Sequence, residues 1–118
     1  MNYDVEKLLK IKQELNRVTD LLNTAILAFE QELKTIGIGV PVTVKISDEV
    51  FLKYGKFGDS WRVMASYTNA DNNEITLPLV ECTRTIRLHG YKHRMELLPH
   101  LEAAAESLTK RMEKALEC

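Results

Sequence analysis

The segment from Arg84 to His100 is the basic part of this chain. That stretch holds Arg84, Arg87, Lys92 and Arg94 against the single acid Glu96, together with His89, His93 and His100. On a helix, Arg84, Arg87, Tyr91 and Arg94 share one face. A guanidinium presents a planar fork that matches phosphate or carboxylate. Tyr91 can stack on a base or on a cation, and a helix beginning near Thr83 would add free backbone N–H groups. The chemistry of this pattern is anion recognition: a nucleotide, a nucleic-acid phosphate or an acidic protein surface, with Arg84, Arg87, Tyr91, Lys92 and Arg94 as the binding residues. The competing reading is a solvated basic face that pairs with acids of the first helix, such as Glu6, Glu14, Glu30 or Glu32.

Other reactive residue types are present without the arrangement that chemistry needs. His89 and His93 stand at helical spacing with Cys82 on the same side, a zinc-compatible set. An H-x-x-x-H pair is common by chance, however, and this one lacks the acidic base of a metalloprotease helix. The expectation is no metal and no cofactor, with these residues half-buried. Cys82 has no glycine-rich elbow or oxyanion motif beside it. No Walker loop or GxGxxG occurs, and Gly37-Ile38-Gly39 merely precedes a strand. No catalytic residue is assigned; a small enzyme using Cys82 or the His pair ranks last among the readings. Phe51, Tyr54, Phe57 and Trp61 offer either a base-stacking sheet face or, the preferred reading, core packing.

The element that must position all this is the stretch from Val5 to Ile36. Leu8, Leu15, Leu22, Phe29 and Ile36 recur every seventh residue, with Ile11, Val18 and Ala25 between them and Glu32 breaking the pattern. This a/d register predicts an amphipathic helix, begun by Asn2 or Asp4 and ended at Gly37. Its length, about 48 Å at 1.5 Å per residue, exceeds what a domain of this size can cover. The expectation is a homo-oligomer, dimer or higher, with Leu8, Ile11, Leu15, Val18, Leu22 and Phe29 at the interface. An ordinary core helix on a long sheet is the alternative.

Past Gly37 the period changes to two. Ile38, Val40, Val42, Val44 and Ile46 alternate with small or polar residues, which predicts a strand with Pro41 at its edge or start. Further strands are predicted over 50–57, with a bulge at Gly55, over 61–67, and over 75–80, where Pro78 shortens the strand or sets it at an edge. Trp61, Val63, Ala65 and Tyr67 are expected on the inner face. Short loops favour an antiparallel meander. From Thr83 a helix is preferred over a strand extension, although Gly90 weakens it by about 1 kcal/mol. Pro99 predicts a break at 98–99, after which Leu101, Ala105, Leu108, Met112 and Ala115 define a second amphipathic helix. The whole is one α+β domain over 1–118: a long helix (1–37), an antiparallel sheet of three or four strands (38–80), and a broken helical region (82–117).

The totals agree with a single small domain. The chain has 118 residues, 45% of them hydrophobic, and a net charge of -1, so no global attraction to nucleic acid or anionic lipid operates. No apolar run spans a bilayer, and Met1-Asn2-Tyr3-Asp4 lacks the features of a secretory leader. Cys82 and Cys118 are read as reduced thiols, and the setting as cytoplasmic, without membrane association.

The run Lys53-Tyr54-Gly55-Lys56-Phe57-Gly58-Asp59-Ser60-Trp61 resembles a hairpin found in small uncharacterised proteins of phage and mobile-element origin. The resemblance extends through Pro78-Leu79, Arg84-Thr85-Ile86-Arg87 and Leu98-Pro99-His100-Leu101, covering roughly 50–108. In those proteins a strand pair ending in Trp precedes a two-Arg helix and a Pro-started closing helix. The family has no assigned activity, so the resemblance implies a phage or prophage setting and action by binding a host component. Taken together, the sequence reads as a non-enzymatic, homo-oligomeric binding protein that engages a host protein or anionic partner through its basic segment. The alternative is a nucleotide-sequestering protein with ligand sites between protomers.

Overall fold

In the computed structural model, which describes residues 4–117, a long helix α1 (Val5–Ile36) leads into four strands. These are β1 (Val42–Ser47), β2 (Val50–Phe57), β3 (Ser60–Thr68) and β4 (Glu74–Pro78); helices α2 (Arg84–Lys92) and α3 (Leu97–Leu116) follow. The strands form an antiparallel meander in the order β1-β2-β3-β4. The fold is α+β, as the change of hydrophobic period predicts.

Both ends of α1 are closed by local chemistry. Asp4 accepts a hydrogen bond from the Lys7 N–H at 3.1 Å, satisfying one of the free donors of the first turn. Gly37, at φ 69°, takes the left-handed position that ends the helix and donates its N–H to the Leu33 carbonyl. Asn2, the other candidate cap, and Cys118 lie outside the described residues.

Alternation sets one face of the sheet on the core, although Met64 and Ser66 of β3 are buried on the other face. Val44, Leu52, Tyr54, Val63 and Ala65 are buried and join Ile26, Phe29 and Leu33 of α1 with Leu79, Cys82, Leu97 and Leu101 in one core. Trp61 and Tyr67 pack partly buried against it. The four aromatics considered for base stacking are split by the pleat. Tyr54 and Trp61 stack at 5.4 Å on the core side, whereas Phe51 and Phe57 alternate onto the opposite face and are exposed.

Three boundaries differ from the sequence expectation. The first strand starts at Val42, not Ile38, because Gly39 at φ 65° and the donorless Pro41 interrupt the extended backbone before it. The irregularity expected at Gly55 falls between Lys45 and Ser47; Gly55 pairs in register with Arg62. The helical break lies at a 3-10 turn, Arg94–Glu96, not at 98–99. Pro99 sits in the first turn of α3, where its missing N–H would have had no helical partner.

The molecule is elongated, 79 × 32 × 24 Å. At 1.5 Å per residue α1 is about 48 Å long and α3 about 30 Å. The first four turns of α1 and the last two turns of α3 carry no buried residue. Met112 and Leu116 of α3 are accordingly exposed.

Candidate functional site: the basic helix and the exposed arm of the long helix

Helix α2 starts where Thr83 caps it, accepting from the Ile86 N–H at 3.4 Å. It lies close to the core because Gly90 has no side chain: a Cβ there would stand 2.6 Å from Leu79 Cδ1. Its arginines are turned onto α1. Arg84 donates through Nε to Thr19 Oγ1 (3.1 Å) and through Nη2 to Asn16 Oδ1 (2.9 Å), and Arg87 donates through Nη1 to Asn23 Oδ1 at 2.6 Å. Arg94 donates to the Tyr91 carbonyl, lies over the Tyr91 ring at 3.9 Å, and reaches the Phe29 ring at 5.9 Å. Lys92 is exposed.

The structure thus brings Arg84 and Arg87 together along one side of α1 but sets Arg94 and Tyr91 apart as a stacked pair one helical length away. None of the hydrogen-bond partners of Arg84 and Arg87 is an acid. The glutamates considered as counter-charges are engaged elsewhere or absent from these contacts: Glu14 pairs with Arg17, and Glu30 with Arg62 and Lys34. The guanidinium groups are therefore held in place by neutral amides and a hydroxyl, oriented without being neutralised. The sequence reading missed Asn16, Thr19 and Asn23. Their helical spacing, a polar strip beside the heptad stripe, was the available signal.

Glu30 was also missed in its role. It is buried at 4% exposure, accepts from Arg62 Nε at 2.9 Å and from the Val63 N–H at 2.8 Å. Strand β4 pairs with β3 only over 64–68, so the earlier part of the β3 edge has no strand beside it. The Glu30 carboxylate takes the Val63 donor that a neighbouring strand would otherwise satisfy. This contact fixes the azimuth of α1 on the sheet.

The predicted interface residues separate into two groups. Leu8, Ile11, Leu15 and Val18 are 45%, 54%, 47% and 46% exposed. Leu22 is half-buried, and Phe29 is buried in the protomer's own core. The heptad stripe is thus uncovered in the first half of α1 and divided in the second, where Leu22 and Phe29 pack on the core while Glu32 and Ile36 are exposed. Beside the second half runs a cleft of about 370 Å³, walled by Ala25, Ala28, Glu32 and Ile36 on one side and by Tyr91, Arg94 and Met95 on the other.

The thiol and imidazoles do not assemble a reactive centre. Cys82 donates to the carbonyl oxygens of Pro78 (3.4 Å) and Leu77 (3.8 Å), and burial pushes its thiol up to about 11, so it is protonated and a poor nucleophile at neutral pH. His89 meets His93 edge-on at 4.7 Å, and His93 Nδ1 contacts Glu96 Oε2. Among the described residues no three His, Cys, Asp or Glu side chains are placed to hold a metal ion. No helix among them is long and apolar enough to cross a membrane.

Comparison with protein-family models, curated proteins and solved structures finds no match to this chain.

Proposed function

We propose that this chain is a non-enzymatic, homo-oligomeric binding protein, assembled through the first half of α1 and presenting the Arg84–Arg87 face of α2 to an anionic or acidic partner. The observation that carries the reading is the uncovered stripe of Leu8, Ile11, Leu15 and Val18, continuous with the protomer's own core stripe. Scattered exposed apolar residues need no explanation, but a contiguous stripe marks an interaction surface. Completing the burial of a half-exposed aliphatic side chain is worth about 1 kcal/mol, so the eight side chains of two copies gain ~8 kcal/mol. Association costs at least ~4 kcal/mol. The stripe alone supports weak association, and a tight one draws on neighbouring surface.

The basic face adds the partner class. Two guanidinium groups fixed by neutral hydrogen bonds keep their charge for an incoming carboxylate or phosphate. The resemblance of the Lys53–Trp61 hairpin to small phage and mobile-element proteins supports a host component as that partner.

Light scattering tests the assembly: a mass of two or more chains is expected for the native sequence and a single chain for Leu15→Asp. Retention on a polyanion matrix at low salt tests the basic face. Loss of retention in Arg84→Ala/Arg87→Ala, with the oligomer intact, is the expected result. A native chain that stays a single copy at high concentration refutes the assembly, and unchanged retention in the double variant refutes the basic face.

A further inference from the structure

We infer that the occupant of the cleft between the second half of α1 and residues 91–98 is the first half of α1 from a second copy, the two long helices crossing antiparallel about a twofold axis near Asp20. This deepens the proposed assembly and rests on it. Three observations converge on this geometry.

The first is the path of the heptad seam. A seven-residue repeat drifts by about 20° per heptad around a straight helix. In the second half of α1 the a/d line runs along the boundary between core and cleft, Phe29 packing into the core while Ala25, Glu32 and Ile36 line the cleft. The uncovered stripe and the cleft wall are two segments of one seam. The second is length and register. From Val5 to Val18 the arm is about 20 Å long and from Ala25 to Ile36 the wall is about 17 Å. An antiparallel alignment of a with d positions places Leu8 opposite Glu32, Ile11 opposite Phe29, Leu15 opposite Ala25 and Val18 opposite Leu22. The pairing is self-complementary, as a twofold interface requires. The small side chains of Ala25 and Ala28 leave room for close approach.

The third observation is charge. Glu32 stands in the seam at a d position and is exposed, with no ion-pair partner among the described residues. In this register Lys12 of the second copy, an e-position residue with no ion pair among the described residues, falls opposite Ala28, one helical turn from Glu32. A charged residue in a seam with one matching counter-charge selects a single register and orientation. Seating the arm also covers Ile36 and Met95, which are 64% and 55% exposed, adding the apolar surface that the stripe alone lacks for a stable dimer.

The test is cross-linking in the full chain carrying Cys118→Ser. Within one copy Leu8 and Glu32 are some 36 Å apart along the helix, far beyond disulfide reach. A covalent dimer from Leu8→Cys/Glu32→Cys therefore reports the antiparallel arm exchange, and is expected on mild oxidation. The single variant Leu8→Cys is expected to stay uncrosslinked. A dimer by light scattering that cross-links through Leu8→Cys alone, or through Ile11→Cys/Leu15→Cys but not the first pair, overturns this geometry while leaving the assembly standing. A chain that is a single copy by light scattering removes both. Charge exchange provides the second reading, since Lys12 and Glu32 are both exposed and neither makes an ion pair among the described residues. Lys12→Glu and Glu32→Lys should each raise the dissociation constant at least tenfold, and the double variant should restore it. Additive losses in the double variant overturn the proposed pairing.

Discussion

Replacing Gly90 by Ala sets two effects of similar size against each other, and the structure decides the sign. Alanine in the interior of a helix is favoured over glycine by about 1 kcal/mol, so the local expectation is a stabilised α2. The tertiary expectation is opposite. An alanine Cβ would stand 2.6 Å from Leu79 Cδ1, 3.0 Å from Leu79 Cδ2 and 3.4 Å from Leu52 Cδ1. Both methyls of Leu79 are in the way, so rotating that side chain exchanges one clash for another. Leu79 and Leu52 are 1% and 0% exposed, so neither has open space to move into. Overpacking of this kind costs about 1–3 kcal/mol. Offset by propensity, Gly90→Ala should destabilise the fold by roughly 1 kcal/mol. Urea unfolding followed by the fluorescence of the single tryptophan, Trp61, reads this as a lower midpoint at unchanged slope. Protein concentration must be held fixed because association contributes to apparent stability. In a Leu79→Ala background the obstacle is gone, and there Gly90→Ala should become neutral or stabilising, a coupling measured directly by the double-mutant cycle. A gain of the full propensity in the native background would refute the claim that Gly90 exists to let α2 reach the core.

Other consequences follow from the same contacts. Glu30→Ala leaves the Val63 N–H and Arg62 without their carboxylate and should cost about 3 kcal/mol in denaturant, as removal of one partner from a buried pair does; a loss below 0.5 kcal/mol would mean that water replaces the carboxylate there. Burial raises Cys82 from 9.0 to about 11. An unfolded chain releases that proton near pH 9 while the native state keeps it, so the contribution is full below pH 9 and is lost as pH rises through about 11. The loss should be roughly 3 kcal/mol at most, and Cys82→Ala should flatten that part of the curve. Tyr54, raised by burial and by the Glu30 charge, adds a loss of the same sign at higher pH, which Tyr54→Phe removes. Leu15→Asp should leave monomer unfolding nearly unchanged, because Leu15 is 47% exposed and outside the buried core, while removing the concentration dependence of the melting temperature; a variant whose melting temperature still rises with concentration would place the interface elsewhere.

What the sequence determined by itself was local. The heptads from Leu8 to Ile36, the alternation over Ile38–Ile46, the helix start near Thr83 and the stop at Gly37 each follow from a periodicity or a backbone preference that neighbouring residues express without help. The α+β class and the meander are sums of such signals. Where two local rules met, the reading slipped by a few residues: Pro99 looked like a break, although a proline is at ease in the first turn of a helix that begins at Leu97. The partners of the arginines, the use of Glu30 as a strand-edge cap, and the need for Gly90 were decided only by tertiary structure. Each depends on residues far apart in the chain, Arg84 with Asn16, Val63 with Glu30, Gly90 with Leu52. The same limit applies to the long stripe of α1. Its period announces an apolar face, but which half of that face a protomer can cover for itself depends on how far the sheet extends beneath it, and that length is set by strand pairing, a contact between segments that no single stretch of sequence contains.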